Sequence, residues 1–240
     1  MANYKDIKGT TVQVKSATQP TTYPQLAGEL YYNSSNGDYE FLSPGAGVWS
    51  SGGALNAARS GRAAAGTQTT GIAFGGWNPT TSVHASTEKY DGSSWTEVND
   101  LNTGRASLAG ASNGSQTASL AFGGSVPGGS PAYQVISEEY DGTNWAEGND
   151  LNGTKAYGAG SGTQTAALAI ATAGPPIAGI VEAYDGTSWS EVNDLNTGRD
   201  FNVACGTQTA SLTFQGESTP GPNTVNVELY NGTSWTEVAN

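Results

Sequence analysis

The segment Tyr140-Asp141-Gly142-Thr143-Asn144-Trp145-Ala146-Glu147-Gly148-Asn149-Asp150-Leu151-Asn152-Gly153-Thr154-Lys155 decides how the chain is read, because the same order of residues returns along it. Its opening phrase, Tyr-Asp/Asn-Gly-x-x-Trp, stands also at residues 90–95, 184–189 and 230–235. A further tryptophan, Trp49, precedes them, and the successive intervals from Trp49 to Trp235 are 46, 50, 44 and 46 residues. That period is the length of a four-stranded propeller blade.

Outward from this phrase, each unit divides into four strands. After Leu101-Asn102-Thr103-Gly104-Arg105 comes a run of small residues, 106–111, matched by 63–66, 156–160 and 200–205. Small side chains suit an innermost strand, where blades converge. A Gly-Thr/Ser-Gln turn follows at Gly66, Gly114, Gly162 and Gly206, and then large apolar residues alternate: Ile72/Phe74, Leu120/Phe122, Leu168/Ile170 and Leu212/Phe214. Period two predicts a second strand with one large apolar face, while Ala73, Ala121, Ala169 and Thr213 suit a tighter neighbour on the other. A variable loop leads to a third strand ending in the repeated tyrosine. The Asp-Gly or Asn-Gly pair after it predicts a two-residue type I′ turn into a fourth strand that carries the tryptophan. Because each Tyr and Trp recurs at one blade position, they are read as packing between sheets and not as platforms for sugars.

The first fifty residues obey the same plan loosely. Residues 11–16, 29–32, 39–42 and 48–50 supply four strands, with Asn36-Gly37 as one hairpin turn. The expected architecture is therefore all-β: a five-bladed propeller of four-stranded antiparallel blades, with residues 1–53 as a divergent N-terminal blade. The other four blades occupy 54–100, 101–150, 151–194 and 195–240. Tyr39 and Trp49 stand ten residues apart, and 19–25 holds two prolines. Four blades with a separate N-terminal arm is therefore the alternative.

Composition agrees with short strands and turns: 34 glycines and only 12% charged residues. Nine basic residues against 21 acidic ones give a net charge of −12, so neither nucleic acid nor an anionic membrane surface is an expected partner. Met1-Ala2-Asn3-Tyr4-Lys5-Asp6 has no apolar run behind it, so no signal peptide and no membrane insertion are expected, and synthesis is expected in a cytoplasm. The single cysteine, Cys205, excludes an internal disulfide, and its small neighbours Val203, Ala204 and Gly206 predict a buried core position.

Residues 54–240 resemble the kelch repeat. A glycine pair closes the second strand at Gly75-Gly76 and Gly123-Gly124, and the spaced Tyr and Trp follow; the pattern departs at Ala171-Thr172 and Gln215-Gly216. The N-terminal phrase Gly28-Glu29-Leu30-Tyr31-Tyr32-Asn33-Ser34, followed by an aromatic strand and Val48-Trp49, is similar to a module of phage tail and virion proteins. Joined to kelch-like repeats containing Gly-Thr-Gln-Thr, it is similar to proteins of marine phages. The resemblance implies a virion component: a tail fibre, receptor-binding or decoration protein. It would stand in many copies beside other virion proteins, with a host-surface glycan or protein as its target, and residues 1–53 would be a virion-anchoring module if they do not close the ring.

Little in the sequence points to catalysis. With one histidine, His84, no metal cluster and no cofactor are expected, and the histidines that kelch-fold oxidases use for copper are missing. The usual nucleophilic triads lack their parts. The Asp-Gly-x-x-Trp phrases resemble the sialidase aspartate box, which is itself a structural turn, with one residue missing between Asp and Gly. Carboxylate pairs for glycoside hydrolysis remain open, although nearly all acids sit at repeated positions. The expectation is a non-enzymatic protein, with a free carbohydrate-binding lectin and a glycan-cleaving enzyme as alternatives.

Two groups of residues are candidate binding sites. The repeated basic position, Arg59, Arg105, Lys155 and Arg199, would either ring a channel mouth and hold an anion, or pair with carboxylates such as Asp100, Asp150 or Asp194, or with carbonyls. The loops between second and third strands, 77–85, 125–136, 172–180 and 217–225, differ while their framework repeats. Loops on a rigid scaffold are where recognition is placed, which singles out Trp77, His84 and Tyr133.

Overall fold

The structure is a computed structural model that describes residues 30–33, 38–41, 51–80, 82–129, 132–170, 178–218 and 224–238. The chain divides into two compact units, Met1–Ser51 and Gly52–Asn240. In the first, Leu30–Asn33 pairs antiparallel with Asp38–Phe41, Asn33 lying opposite Asp38. The strands expected at 11–16 and 48–50, and the turn at Asn36-Gly37, lie outside the described residues.

The second unit is an all-β propeller of four-stranded antiparallel blades, four of them among the described residues, each with its strands in chain order. The blades are Ala63–Gly66, Gly71–Phe74, Thr87–Tyr90 and Trp95–Val98; Ala109–Gly110, Ser119–Phe122, Ser137–Tyr140 and Trp145–Glu147; Ala159–Thr163, Ala166–Ile170, Val181–Tyr184 and Trp189–Val192; and Val203–Thr207, Ala210–Phe214, Val227–Tyr230 and Trp235–Val238.

The alternation in the second strand produces the core. Ile72 and Phe74 face the second blade and meet its Leu108, Ala121, Tyr140 and Trp145. Leu120 and Phe122 meet Ala167, Ala169, Tyr184 and Trp189 in the same way, and Leu168 and Ile170 meet Ala204, Tyr230 and Trp235. The second, third and fourth blades thus each insert their Tyr–Trp pair behind the large apolar face of the blade before. Trp145 stands edge-on to Phe74, ring centroids 4.9 Å apart, and its Nε1–H donates to Thr87 Oγ1 at 3.0 Å. At the centre the innermost strands crowd together, so that a Cβ on Gly160 would lie 2.3 Å from the Gly110 carbonyl oxygen. Small residues there are a steric requirement.

The turn glutamines tie each blade to its predecessor. Gln116 Nε2 donates to the carbonyls of Gly71 and Tyr90, and Gln164 Nε2 to those of Ser119 and Tyr140. Gln208 does the same to Ala167 and Tyr184.

Three expectations need correction. The hairpin between the outer strands is not a two-residue type I′ turn: Tyr140 lies opposite Trp145, which leaves the four residues between them as the loop. There Asp141 Oδ1 accepts the Thr143 and Asn144 amides at 2.7 Å each, and only Gly142 takes a positive φ. Asp91, Asp185 and Asn231 close their loops likewise. Those amide donors hold the three aspartate carboxyls below their usual range.

The innermost strands of the last three blades also begin about three residues late. Ser107, Tyr157 and Phe201 adopt φ of 51°, 57° and 51°, a left-handed conformation that interrupts an extended strand. Finally, Cys205 is exposed, whereas Ala111 and Ser161 at the equivalent position are fully buried beneath the next blade. No further blade covers that face among the described residues, and Val203 and Leu229 are exposed there too.

Trp145→Ala removes a ring that bridges two blades and should cost about 3–5 kcal/mol. Its denaturation midpoint should fall at unchanged slope; a shift worth under about 1 kcal/mol would mean that the ring is not a core element.

Candidate functional site

One end of the repeat gathers the linkers between blades, the starts of the innermost strands and the unlike loops. Each linker carries Leu-Asn-x-x-Arg/Lys and is held by a carboxylate of the third strand. Glu138 Oε2 accepts the Asn102 amide at 2.7 Å and its side-chain Nδ2 at 3.0 Å, while that Nδ2 also reaches the Trp145 carbonyl. Glu138 Oε1 lies 3.1 Å from Arg105. The set repeats as Asn56–Arg59–Glu88, Asn152–Lys155–Glu182 and Asn196–Arg199–Glu228.

All four basic side chains are buried. Their charge is met by the glutamates, and carbonyls such as Ser86 O, Ile136 O and Asn226 O accept from the three arginines. Burial pushes the Arg105 guanidinium below its ordinary pKa and Glu138 pulls it back; Arg59 beside Glu88 behaves likewise. Of the two roles open to these residues, the geometry is that of structural pairing. The partner is the glutamate two residues before each repeated tyrosine, not Asp100, Asp150 or Asp194. Its signal in the sequence was the recurring Glu-x-Tyr of the third strand.

The loop aromatics take no part in these ion pairs. Trp77 belongs to a small hairpin, Trp77–Asn78 with Ser82–Val83, and is 41% exposed. Its backbone exchanges hydrogen bonds with Ser60 at 2.8 and 2.9 Å. His84 is half-buried; its amide donates to Gly76 O and its carbonyl accepts from Arg105 N, so its backbone joins the first two blades. Tyr133 bridges to Ser125, and its ring meets Tyr157 edge-on at 6.2 Å. Tyr157 in turn lies 4.8 Å from Phe201, centroid to centroid.

Tyr157 and Phe201 were not singled out by the sequence, because the blade position they share reads Gly61, Ser107, Tyr157, Phe201 and has no common chemistry. Its common feature is backbone. All four residues have positive φ, and the amides of Ser107, Tyr157 and Phe201 donate to the carbonyls of Gly61, Ser107 and Tyr157 at 2.7, 3.0 and 2.6 Å. Beside this chain lies Asp200, 8% exposed, whose carboxyl pKa is raised by burial and further by Glu217.

No protein-family model matches the sequence, and no curated protein matches it.

Glu138→Ala would leave the Arg105 charge buried without its carboxylate and take the Asn102 amide's acceptor away, and should cost about 3–5 kcal/mol. Asp141→Asn should leave the unfolding midpoint unchanged, since Asn231 closes the same loop in the fourth blade. A silent Glu138→Ala would return Arg105 to the list of ligand-binding candidates.

Proposed function

We propose that this chain is a non-enzymatic structural protein of a phage particle, a tail-fibre, receptor-binding or decoration protein, in which a kelch-like propeller presents unlike loops from one end of a repeated framework. One contrast carries this reading: the Asn–Arg/Lys–Glu staple recurs in all four blades, while the loops beside it share no sequence, even though their ends are tied down alike, Trp77 to Ser60, Ser125 to Ala106 and Glu217 to Asp200. A framework locked by buried charge can tolerate such loop divergence, and rigid presentation reduces the ordering cost of binding.

The ring itself is proposed to have five blades, with residues 1–53 supplying the fifth. Two features of the second unit support this. The fourth blade exposes a face of the kind that is buried in the other three, and Tyr90 and Trp95 of the first blade are only half-buried where Tyr140 and Trp145 are buried. Cys205 is the sole thiol and a direct probe. In the native full-length monomer its alkylation should be far slower than in denaturant. Equal rates would leave the four-bladed alternative, and protection seen only in dimers would assign the cover to a second copy.

The attachment role is tested on particles. Trp77→Ala should weaken adsorption to host cells, by up to roughly thirtyfold if the ring anchors the contact. Because Trp77 is exposed, the fold should lose no more than about 0.5 kcal/mol. Normal adsorption by particles that have become fragile would instead mark a decoration protein.

A further inference from the structure

We propose that Tyr133, Tyr157 and Phe201 form a binding step for an uncharged sugar residue at the axial end of the repeat. This deepens the attachment reading and rests on its claim that this end of the molecule binds, but it requires no particle. The first observation is conformational. The left-handed slot shared by Gly61, Ser107, Tyr157 and Phe201 does one job for the framework: it passes a hydrogen bond from each blade to the one before. Gly61 occupies it at no steric cost. A bulky side chain at positive φ is disfavoured, and aromatic rings are among the least suited. Two neighbouring blades nevertheless place aromatic rings there, a pattern of local strain that clusters at ligand sites.

The second observation is exposure. Phe201 is 58% exposed although it packs on Tyr157, and Tyr133 adds a third ring from the second blade's loop. Gly61 and Ser107, in the other two blades, carry little or no side chain, so the rings stand beside a low rim.

The third observation is chemical. Asp200 and Asn202, which flank Phe201, are more than nine-tenths buried, and their unpartnered Oδ1 atoms lie out of a ligand's reach. Four basic residues at this end are spent on Glu88, Glu138, Glu182 and Glu228, while Arg62 beside Gly61 is exposed and donates to the Arg59 carbonyl, and the chain carries a net charge of −12. That net charge disfavours anionic glycans. A neutral sugar fits such a step, with an apolar C–H face to stack on the rings and no charge to be repelled.

The test uses the full chain, an array of neutral and acidic oligosaccharides, and the variants Phe201→Gly and Tyr157→Gly. Glycine fits the slot, so both variants should fold with unfolding midpoints equal to or above that of the parent. The parent should bind at least one neutral oligosaccharide and no acidic one, and Phe201→Gly should weaken that binding at least tenfold. A midpoint that drops as for a core residue, unaltered binding in both variants, or no neutral sugar bound by the parent would each overturn the proposal. Sugar binding by the parent that Phe201→Gly abolishes, with normal adsorption of Phe201→Gly particles, would sustain the sugar site and reject the attachment role alone. Failure of every neutral sugar, with adsorption still lost in Trp77→Ala particles, would reject the sugar site alone.

Discussion

A carboxylate buried in the third strand of each blade organises the repeat. Glu88, Glu138, Glu182 and Glu228 are at most 1% exposed, and a lone charge at such depth would be prohibitive. Each is made tolerable by a guanidinium or ammonium group together with amide donors from the linker. Net stability is a weak explanation for such a pair, because well-packed apolar residues of similar volume often do as well or better by about 1–4 kcal/mol. Placement is the stronger one. The linker that carries Asn102 and Arg105 arrives from the first blade, where Leu101 N and Arg105 N donate to Ala85 O and His84 O. One carboxylate therefore fixes where a blade stands relative to its predecessor.

Once the linkers are pinned, the remaining features of that end follow. The chain must turn from the pinned basic residue into the innermost strand within a few residues, and it does so through the left-handed slot. The slot constrains backbone and favours glycine without requiring it, and glycine, serine, tyrosine and phenylalanine all appear in it. The opposite end of each blade is governed by its turns instead. Its aspartate-closed loops and bridging glutamines recur almost unchanged, which leaves the linker end as the place where the four blades can differ.

The parts of this design that were legible in the sequence are those with a local pattern. The Tyr–Trp interval, the alternation of Ile72 with Phe74, and the small innermost residues each map onto one strand and one face. Long-range partnership was less legible. Asp100 is nearer to Arg105 in the chain than Glu138, yet Asp100 Oδ1 accepts from Thr87 N in the preceding blade, and only the sheet brings Glu138 to the guanidinium. The turn was misread because Asp-Gly satisfies type I′ chemistry; it is the pairing of Tyr140 with Trp145 that makes the loop four residues long. The exposure of Cys205 was not legible because burial of an innermost residue depends on the blade that follows it, which its own neighbours do not encode.

That dependence on the following blade also accounts for the departure from the glycine pair at Gln215. Gly75 and Gly123 have φ of 66° and 62°, and a Cβ at Gly123 would lie 2.4 Å from the carbonyl oxygen of Lys155 in the next linker. At Gly75 it would meet Leu108 at 2.7 Å and the Arg105 carbonyl at 2.9 Å. The first glycine is thus imposed from outside its own blade. Gln215 holds the same backbone conformation, φ 58°, and is exposed, with no such linker crossing it among the described residues. The departure at Gln215 is then a statement about what comes after the fourth blade: a neighbour that brings no Leu-Asn-x-x-Arg/Lys linker over this position imposes no glycine.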